Sequence, residues 1–406
     1  MTAENAGDMR EIAAAETAQA RAARPDEAEA VLEILSLAFG LDQDAARPIF
    51  YADPYYDLFC KRVLTRPGTG IVSCLTLVPA QVRIGGVPVA AVGVAGVATR
   101  PAFQRRGNAA ALLSATLPAL RTEIGSPLAL LHPISAPFYQ RLGWEYVSRQ
   151  VLWLSAPASL PQYAESSQIR PATERDWPAI HSLHDMLTRS GTGSFQRDSR
   201  RRRLLEATAS GREALVFEEA GEITGYVVWE RHDVLHLLEM LGRTDTARRG
   251  LVGFVACQPD ALVEWAASPA LLEGFGLPAA GLPLAPGVML RLVDLEAALS
   301  AVHPAHYAPI LAEYSAALTL HARDTRCPWN TRPLRLTPDG VCPTTPTDGP
   351  WLRAGIRILA RLYFGDLLPS QAAAENLLGV DSPQTLALAD HLFPRREPYV
   401  APLDQF

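Results

Sequence analysis

The sequence predicts an α/β chain of the mixed α+β kind, with several domains in which strands and amphipathic helices alternate. Two observations lead to this class. Segment 25–39 places apolar residues at helical spacing, whereas segment 70–84 carries the β-branched runs typical of buried strands. The chain has 406 residues, of which 48% are hydrophobic and 20% charged, so it is globular and too long for a single core.

The first domain is expected over residues 25–157, where helices and strands of one mixed unit can be read in order. Gly85-Gly86 is a tight-turn dipeptide that joins the first long strands as a hairpin. Residues 1–24 lack the cationic start and apolar run of a signal peptide, and we expect a flexible tail or an additional helix there. The expected elements are a helix at 25–39, strands at 70–84 and 87–99, a helix from Asn108, a strand at 127–134, a short helix at 135–143 and a closing strand at 144–154.

Two further domains are expected after linkers rich in helix- and strand-breaking residues. Residues 158–284 restart with an acidic turn, an amphipathic helix and a hairpin that turns at Gly221, and they look like a diverged second copy of the first domain. Residues 285–406 are expected to hold a strand that leads into a helix at 288–300. Two more helical stretches are expected at 351–365 and 370–379.

Composition excludes several classes of protein. The net charge of −6 does not favour binding to nucleic acid, so no nucleic-acid partner is expected. No stretch approaches the ~18 consecutive apolar residues of a membrane span, so no membrane association is expected. The five cysteines form no CxxC pair, which is typical of reduced thiols in a cytoplasmic protein. Lys61 is the only lysine, which argues against a Walker-type GK[ST] motif and most lysine Schiff-base chemistry.

The most informative stretch is the turn after the second long strand, which reads TRPAFQRRGNAA from Thr99 to Ala110. Gly107 allows the backbone to approach a ligand closely, and the amides of residues 105–110 begin a helix whose positive dipole end binds anions. Arg105 and Arg106 add two charges suited to a pyrophosphate. An ordinary surface loop with two arginines explains the turn alone equally well.

In its context this turn resembles the acyl-CoA signature of the GNAT superfamily of acetyl-CoA-dependent N-acyltransferases. Gln104-x-x-Gly107-x-Ala109 fits that signature, and FYQRLGW at 138–144 fits the segment downstream. The layout of the chain resembles the Eis (enhanced intracellular survival) family, whose last domain is similar to sterol carrier proteins. The resemblance covers nearly everything after residue ~25 and implies tandem GNAT folds, the first active and the second degenerate, followed by a sterol-carrier-protein-like α/β domain. It also implies a homohexamer.

The resemblance implies roles for individual residues. Acetyl-CoA is expected in an opening between the second long strand and strand 127–134, and Gln104, where the family often has arginine, implies slightly weaker phosphate charge. Tyr139 falls at the family's general acid and the α-carboxylate of Phe406 at its general base. The residues implied to bind acetyl-CoA are Val97, Ala98, Thr99, Arg105, Arg106, Gly107, Asn108, Ala109, Ala110, Ile134 and Ser135.

The implied activity is N-acetyl transfer from acetyl-CoA to a primary amine, either of the aminoglycoside or polyamine kind or a lysine side chain, without a metal. A non-catalytic acyl-CoA- or lipid-binding protein that uses the third domain is the alternative from another class. A protein-lysine acetyltransferase that acts on one partner is the third.

Two polar motifs have structural explanations beside their functional ones. His232, His236 and Glu239 mimic a zincin motif, but the glutamate between the histidines is missing and the segment reads as strand, so no metal is expected. The run Arg200–Arg203 is interpreted as a solvated helix face or a subunit contact rather than a nucleic-acid patch.

Isolated aspartates and histidines are also open to two interpretations. Asp42 and Asp44 either attract a cationic amine or cap the helix that follows them. His181 and His184 are interpreted as a solvated or hydrogen-bonded pair, and His132, beside the expected site, as a core histidine.

Overall fold

A computed structural model of the chain describes residues 18–148, 150–206, 212–285, 287–345 and 349–406. These residues form three bodies, each built on one β-sheet. The expected α/β class is therefore confirmed, with a seven-stranded first sheet, a seven-stranded second sheet and a five-stranded third sheet.

The first body contains two long strands that form a hairpin, and the Gly85-Gly86 turn joins them with both glycines at positive φ (53° and 87°), as the dipeptide predicts. Its strands are β1 (Gln19–Ala22), β2 (Lys61–Arg66), β3 (Gly70–Ile84), β4 (Val87–Thr99), β5 (Leu128–Leu131) and β6 (Glu145–Tyr146). Its helices are α1 (Ala28–Phe39), α2 (Gln43–Ala52), α3 (Asn108–Ala119) and α4 (Ala136–Gln140).

The second body repeats this plan. Its hairpin turns at Ala220-Gly221, where both residues have positive φ (52° and 83°), as expected from the sequence. Its strands are β7 (Gln150–Ser155), β8 (Ile169–Pro171), β9 (Arg212–Glu219), β10 (Glu222–Arg231), β11 (Leu235–Gly242), β12 (Val263–Ala267) and β13 (Leu284–Ala285). Its helices are α5 (Trp177–Thr188), α6 (Ser199–Glu206), α7 (Asp245–Ala256) and α8 (Pro269–Gly274).

The third body follows a strand, β14 (Met289–Leu292), that leads into a helix as expected. The expected helix at 351–365 is wrong in its first third, because residues 351–355 form a strand whose Leu352 and Ala354 alternate into the core. The strands are β15 (Leu318–Arg323), β16 (Leu334–Thr337), β17 (Gly340–Pro343), β18 (Trp351–Gly355) and β19 (Leu378–Val380). The helices are α9 (Leu295–His306), α10 (Ala308–Glu313), α11 (Ile356–Phe364), α12 (Pro369–Ala374) and α13 (Pro383–Leu392).

The two seven-stranded sheets exchange strands. The first sheet has the order β1-β2-β3-β4-β5-β14-β6, and the second has β13-β7-β12-β11-β10-β9-β8. In each sheet all neighbours are antiparallel except one central parallel pair, which is β4–β5 in the first and β11–β12 in the second. In the first sheet β5 is flanked by β14, which comes after the second body in the sequence. In the second sheet β12 is flanked by β7, which directly follows the strands of the first body in the sequence.

This exchange carries strands across the expected domain boundaries, which stay a prediction. The expected closing strand of the first domain, residues 144–154, is divided between the two sheets, because residues 145–146 pair in the first sheet and residues 150–155 in the second. The strand at 289–292, expected in the third domain, completes the first sheet. Residues 19–22 were expected in a flexible tail, but they pair with β2 and so cover an open sheet edge; residues 1–17 lie outside the described residues.

Candidate active site

The candidate site begins where the parallel strands β4 and β5 separate. They are paired only from Ala91 opposite Leu128 to Gly93 opposite Leu130. Beyond Gly93, β4 continues for six residues and is bonded only to β3 on its other side. The β4 edge at Val97, Ala98 and Thr99 therefore offers backbone groups that no strand pairs, in the opening where the resemblance implies the donor.

The turn after β4 leads into the N-terminus of α3. Gly107 precedes the helix with φ 76° and offers no side-chain cap, and the first bond of the helix runs from the Ala111 amide to the Gly107 carbonyl at 2.9 Å. Within the described chain, the amides of residues 107–110 donate no hydrogen bond to another protein group. Unpaired amides at a positive helix end can bind an anion.

The arginines of this turn are available for such an anion. Arg105, at φ 56°, and Arg106 are both exposed, and neither has an ion-pair partner among the described residues; Arg106 lies over the Phe103 ring at 5.6 Å. The buried Asn108 side chain accepts from Arg66 at 2.9 Å and donates to the Phe103 carbonyl at 2.7 Å, so it fixes the turn. Gln104 donates to the Thr99 carbonyl at 3.2 Å and ties the turn to β4.

The equivalent position of the second body is closed to anions. Thr244 caps α7 by accepting from the Ala247 amide at 3.0 Å, and Asp245 places a carboxylate in the first turn. Arg248, in the first turns of the helix, is paired with that carboxylate at 2.8 Å. The two bodies share the strand-and-helix plan, but of the two helix starts only that of α3 has the features of a phosphate site.

The last residue of the chain lies at the point where β4 and β5 separate. A Cβ atom placed on Gly93 would lie 2.6 Å from Cδ2 of Phe406, so the ring packs directly on this glycine. The Phe406 ring also meets His132 and Phe195 edge-on, with centroid distances of 5.7 and 5.9 Å. Phe406, which is 313 positions from Gly93 in the sequence, is thus brought to the opening.

Tyr139 is buried in α4, just past the end of β5. Its ring contacts Phe138 edge-on at 4.9 Å and Trp144 at 6.4 Å, and burial raises the pKa of its phenol. At neutral pH the hydroxyl therefore keeps its proton and remains a donor. Between β5 and α4 the side chain of Ile134 is 93% exposed and Ser135, also exposed, precedes the helix, so both lie open beside the opening.

His132, which sequence reasoning interpreted as a core residue, lies beside the terminal ring. Burial lowers the pKa of this imidazole to about 4, and its Nε2 has no hydrogen-bond partner among the described residues. At neutral pH the ring is therefore uncharged. It forms one wall of the position in which Phe406 lies.

A narrow cavity lies beside Phe406 between the first two bodies, with room for little more than a water molecule. Its walls are mostly aromatic and aliphatic, and its charged groups are already engaged within the protein. Asp198 accepts from the Arg201 amide at 2.7 Å, and Arg201 contacts Asp404 at 3.4 Å. The lining residues include Tyr55, Val78, Ala80, Phe195, Arg201 and Phe406.

Sequence reasoning missed a buried charged cluster in the second body. Arg197 binds Glu239 at 2.8 Å and Asp404 at 2.9 Å, and the Tyr226 hydroxyl donates to Glu239 at 2.6 Å. His184 lies 3.7 Å from Glu239, and its imidazole and the two carboxylates place candidate ligand atoms within 4.8 Å of one another. The Arg197 guanidinium already lies between the carboxylates, so their charge needs no metal ion for compensation.

The run Arg200–Arg203 was expected to be a solvated face or a subunit contact, and this is wrong for Arg201. That side chain is buried, because it lies on the face of α6 that meets the C-terminal segment. No signal near these arginines in the sequence points to a partner some two hundred residues away.

The remaining polar candidates have structural partners. Asp42 caps α2 by accepting from the Ala45 amide at 2.8 Å, as the capping alternative predicts, whereas Asp44 pairs with Arg47 at 2.6 Å. His236 faces Glu264 at 3.4 Å rather than Glu239, so the zincin-like spacing brings no common site together. His181 is buried and bonded to Glu206 at 3.0 Å.

Comparisons with known proteins agree with this geometry. Residues 19–147 match the family model of the acetyltransferase (GNAT) domain, and residues 295–401 match that of the sterol carrier protein domain. A search of curated proteins found no match. No helix of the described residues combines the length and apolarity needed to cross a membrane.

Solved structures similar to the chain include a GCN5-related N-acetyltransferase from Anabaena variabilis ATCC 29413, with 21% identity and a TM-score of 0.79. A GCN5-related N-acetyltransferase from Kribbella flavida has 22% identity and a TM-score of 0.77. Eis1 from Mycobacterium abscessus has 20% identity and a TM-score of 0.72. Each similarity covers 96% of this chain and 100% of the other, so the whole three-body fold is shared. The chain therefore contains an acetyltransferase (GNAT) domain and a sterol carrier protein domain, within a fold that it shares with Eis1 from Mycobacterium abscessus.

Proposed function

We propose that the protein transfers the acetyl group of acetyl-CoA to a primary amine in the first body, with Tyr139 as general acid and the α-carboxylate of Phe406 as general base. The observation that carries this proposal is the position of Phe406 against Gly93, where β4 and β5 separate. A carboxylate there would lie between the donor opening and the cavity beside it.

The donor fits the residues around the opening. The free amides at the start of α3, with Arg105 and Arg106, would hold the pyrophosphate, and the unpaired β4 edge at Val97–Thr99 would bond the pantetheine arm. Acetyl-CoA supplies an activated thioester. A backbone amide near Ala98 or Thr99 would stabilise the charge that develops on its carbonyl oxygen.

The transfer needs one base and one acid. An alkyl amine with a pKa of about 10 is almost fully protonated at neutral pH, so the Phe406 carboxylate, directly or through a water, takes one proton before the nitrogen attacks the thioester carbon. The carbon–sulfur bond then breaks, and the leaving thiolate takes the phenolic proton of Tyr139. The nitrogen loses its second proton, which restores the phenol, while the proton on the Phe406 carboxylate passes to solvent. Because burial raises the pKa of this phenol, the proton is present at neutral pH for each turnover.

The cavity beside Phe406 favours a slender acceptor. It is narrow, with room in this structure for little more than a water molecule, and its walls Tyr55, Val78 and Phe195 are apolar. An alkylamine or a lysine side chain suits such walls better than an acceptor that brings several charged sugar rings into the cavity. A panel that compares alkylamines, a lysine peptide, polyamines and an aminoglycoside tests this inference, and a preference for the aminoglycoside would contradict it.

One added residue at the C-terminus tests the base. Extension of the chain by a single alanine after Phe406 moves the carboxylate and should abolish turnover, while acetyl-CoA binding, measured by calorimetry, persists. Tyr139→Phe in the same assay should lower kcat by about 10²-fold. An intact mass establishes that Phe406 carries the free carboxylate. Unchanged turnover in the extended chain would rule out the terminal base.

The non-catalytic alternative is tested by the same measurements. A protein that only binds acyl-CoA or lipid would show donor binding without amine-dependent release of free thiol. The homohexamer implied by the resemblance stays a prediction, which light scattering of the purified chain measures directly.

A further inference from the structure

The second body holds the C-terminal segment, residues 396–406, along most of its length. The Tyr399 amide donates to the Thr192 carbonyl at 3.0 Å, and the Tyr399 hydroxyl donates to the Ala266 carbonyl at 3.3 Å. The Gln150 side chain donates to the Val400 carbonyl. These contacts come from three separate elements of the second body, so the segment follows a fixed path toward the first.

The path passes the opening of the second parallel pair. The strands β11 and β12 are paired from Leu235 opposite Val263 to Leu237 opposite Trp265, and β11 then continues toward Gly242 paired with β10 but not with β12. Glu239 lies in this separated part, and Arg197 joins it to Asp404 of the C-terminal segment. In the first body the corresponding opening faces the proposed donor, whereas here it faces a part of the chain itself.

Arg201 binds the segment immediately before its last residue. Its Nη2 donates to the carbonyl oxygens of Leu403 at 3.1 Å and Gln405 at 3.2 Å, and its Nε lies 3.4 Å from the Asp404 carboxylate. One buried guanidinium therefore fixes the peptide group before Asp404 and the peptide group that joins Gln405 to Phe406. Few rotatable bonds remain between the bound Gln405 carbonyl and the terminal carboxylate, which restricts where that carboxylate can lie.

The charges of this cluster balance. Arg197 and Arg201 carry two positive charges, and Glu239 and Asp404 carry two negative ones. Burial alone would raise the pKa of Asp404, but the two guanidinium groups hold it below its usual range. The Asp404 carboxylate is therefore ionised at neutral pH and stays paired with Arg197 and Arg201 there.

We propose that the second body is a socket for the C-terminal segment and that Arg201 is a positioning residue that holds the Phe406 carboxylate at the reaction centre. This inference rests on the proposed function, because it explains how a chain terminus, which ordinarily frays, can act as a base. It also gives the degenerate second body a role in catalysis without a donor site of its own.

The test replaces Arg201 by an apolar residue of similar length. Arg201→Met should lower kcat by about 10- to 100-fold while KM for acetyl-CoA stays unchanged, because a carboxylate displaced by about 1 Å loses its catalytic geometry. Arg203→Met on the same helix, where the side chain is exposed, is the matched control and should behave as wild type. Release of Phe406 by a carboxypeptidase should be faster in Arg201→Met, which a role in general stability alone does not predict.

The outcomes separate this inference from the proposed function. Normal kcat in Arg201→Met, together with lost turnover in the chain extended after Phe406, would overturn the socket and leave the terminal base in place. Normal turnover in both variants would overturn the base and the socket together. If kcat, acetyl-CoA binding and melting temperature all fall together, Arg201 stabilises the fold in general, and its positioning role is overturned. Should Arg201→Met not fold, Asp404→Asn, which keeps the shape but removes the charge, is measured in the same assays with the same expected results.

Discussion

Gly93 gives a direct test of whether the terminal residue takes part in the reaction. A Cβ atom at this position would lie 2.6, 2.7 and 2.8 Å from three atoms of the Phe406 ring. Carbon atoms in contact prefer about 3.5–4.0 Å, so in Gly93→Ala the ring has to retreat by about 1 Å. Gly93 is not among the residues with positive φ, so alanine adopts the backbone conformation without strain.

A retreat of this size should lower kcat by about 10²-fold, because the rate falls by about that factor when a reacting group is misplaced by about 1 Å. The assay is amine-dependent release of free thiol from acetyl-CoA, and the melting temperature should stay that of the wild type. Gly355→Ala is the control, since no other group lies within 4 Å of a Cβ placed there.

A second substitution shows whether the ring transmits the effect. Phe406→Ala removes the ring but keeps the terminal carboxylate, so Gly93→Ala should cost nothing further in that background. The difference between the effect of Gly93→Ala in the wild type and its effect in Phe406→Ala is the coupling energy of a double-mutant cycle. A normal kcat in Gly93→Ala would show that the contact between Gly93 and Phe406 does not determine the rate. The same conclusion would follow if the losses of the two single variants simply added in the double variant.

Two further predictions concern the donor site and the pH dependence of stability. The double variant Arg105→Gln/Arg106→Gln should raise KM for acetyl-CoA by about tenfold, which is the size of two exposed ion pairs, but not KM for S-acetyl-pantetheine, which lacks the pyrophosphate; equal effects on both donors would contradict the phosphate role. His132 has a pKa lowered to about 4 by burial, so the unfolded chain takes up its proton below pH 6.5 and the folded chain does not, and stability falls as the pH falls. Between pH 7 and 5 this loss is about 2 kcal/mol of unfolding free energy, and it should be absent in His132→Leu. Urea denaturation at several pH values measures the loss, and an equal change of unfolding free energy in both proteins would contradict the prediction.

Local patterns in the sequence were sufficient for much of the first body. The Gly85-Gly86 turn, the long hairpin and the helix after Gly107 depend on neighbouring residues, and each is present as expected. The strand at 351–355 was misread because its alternation is short and continues directly into an apolar helix. Residues 19–22 were missed because an alanine-rich strand has little β signal of its own.

The candidate site divides in the same way. Gly107 and the two arginines form a local motif, so sequence reasoning could find it. Arg201 and its partners could not be found, because a buried arginine is distinguished from a solvated one only by the carboxylate that folding brings to it, and Asp404 lies 203 positions away. Gly93 has no local signal either, since its requirement comes from the ring of the last residue.

The exchanged strands β7 and β14 have a consequence for the order in which the protein is made. The first sheet lacks the strand between β5 and β6 until residue 292 has left the ribosome, so the acetyltransferase domain cannot complete its fold while the second body is still being synthesised. Each of the two halves holds a strand of the other, which makes them one cooperative unit rather than two domains on a linker. Phe406 therefore packs on Gly93 in a sheet whose fold already depends on residues from both halves.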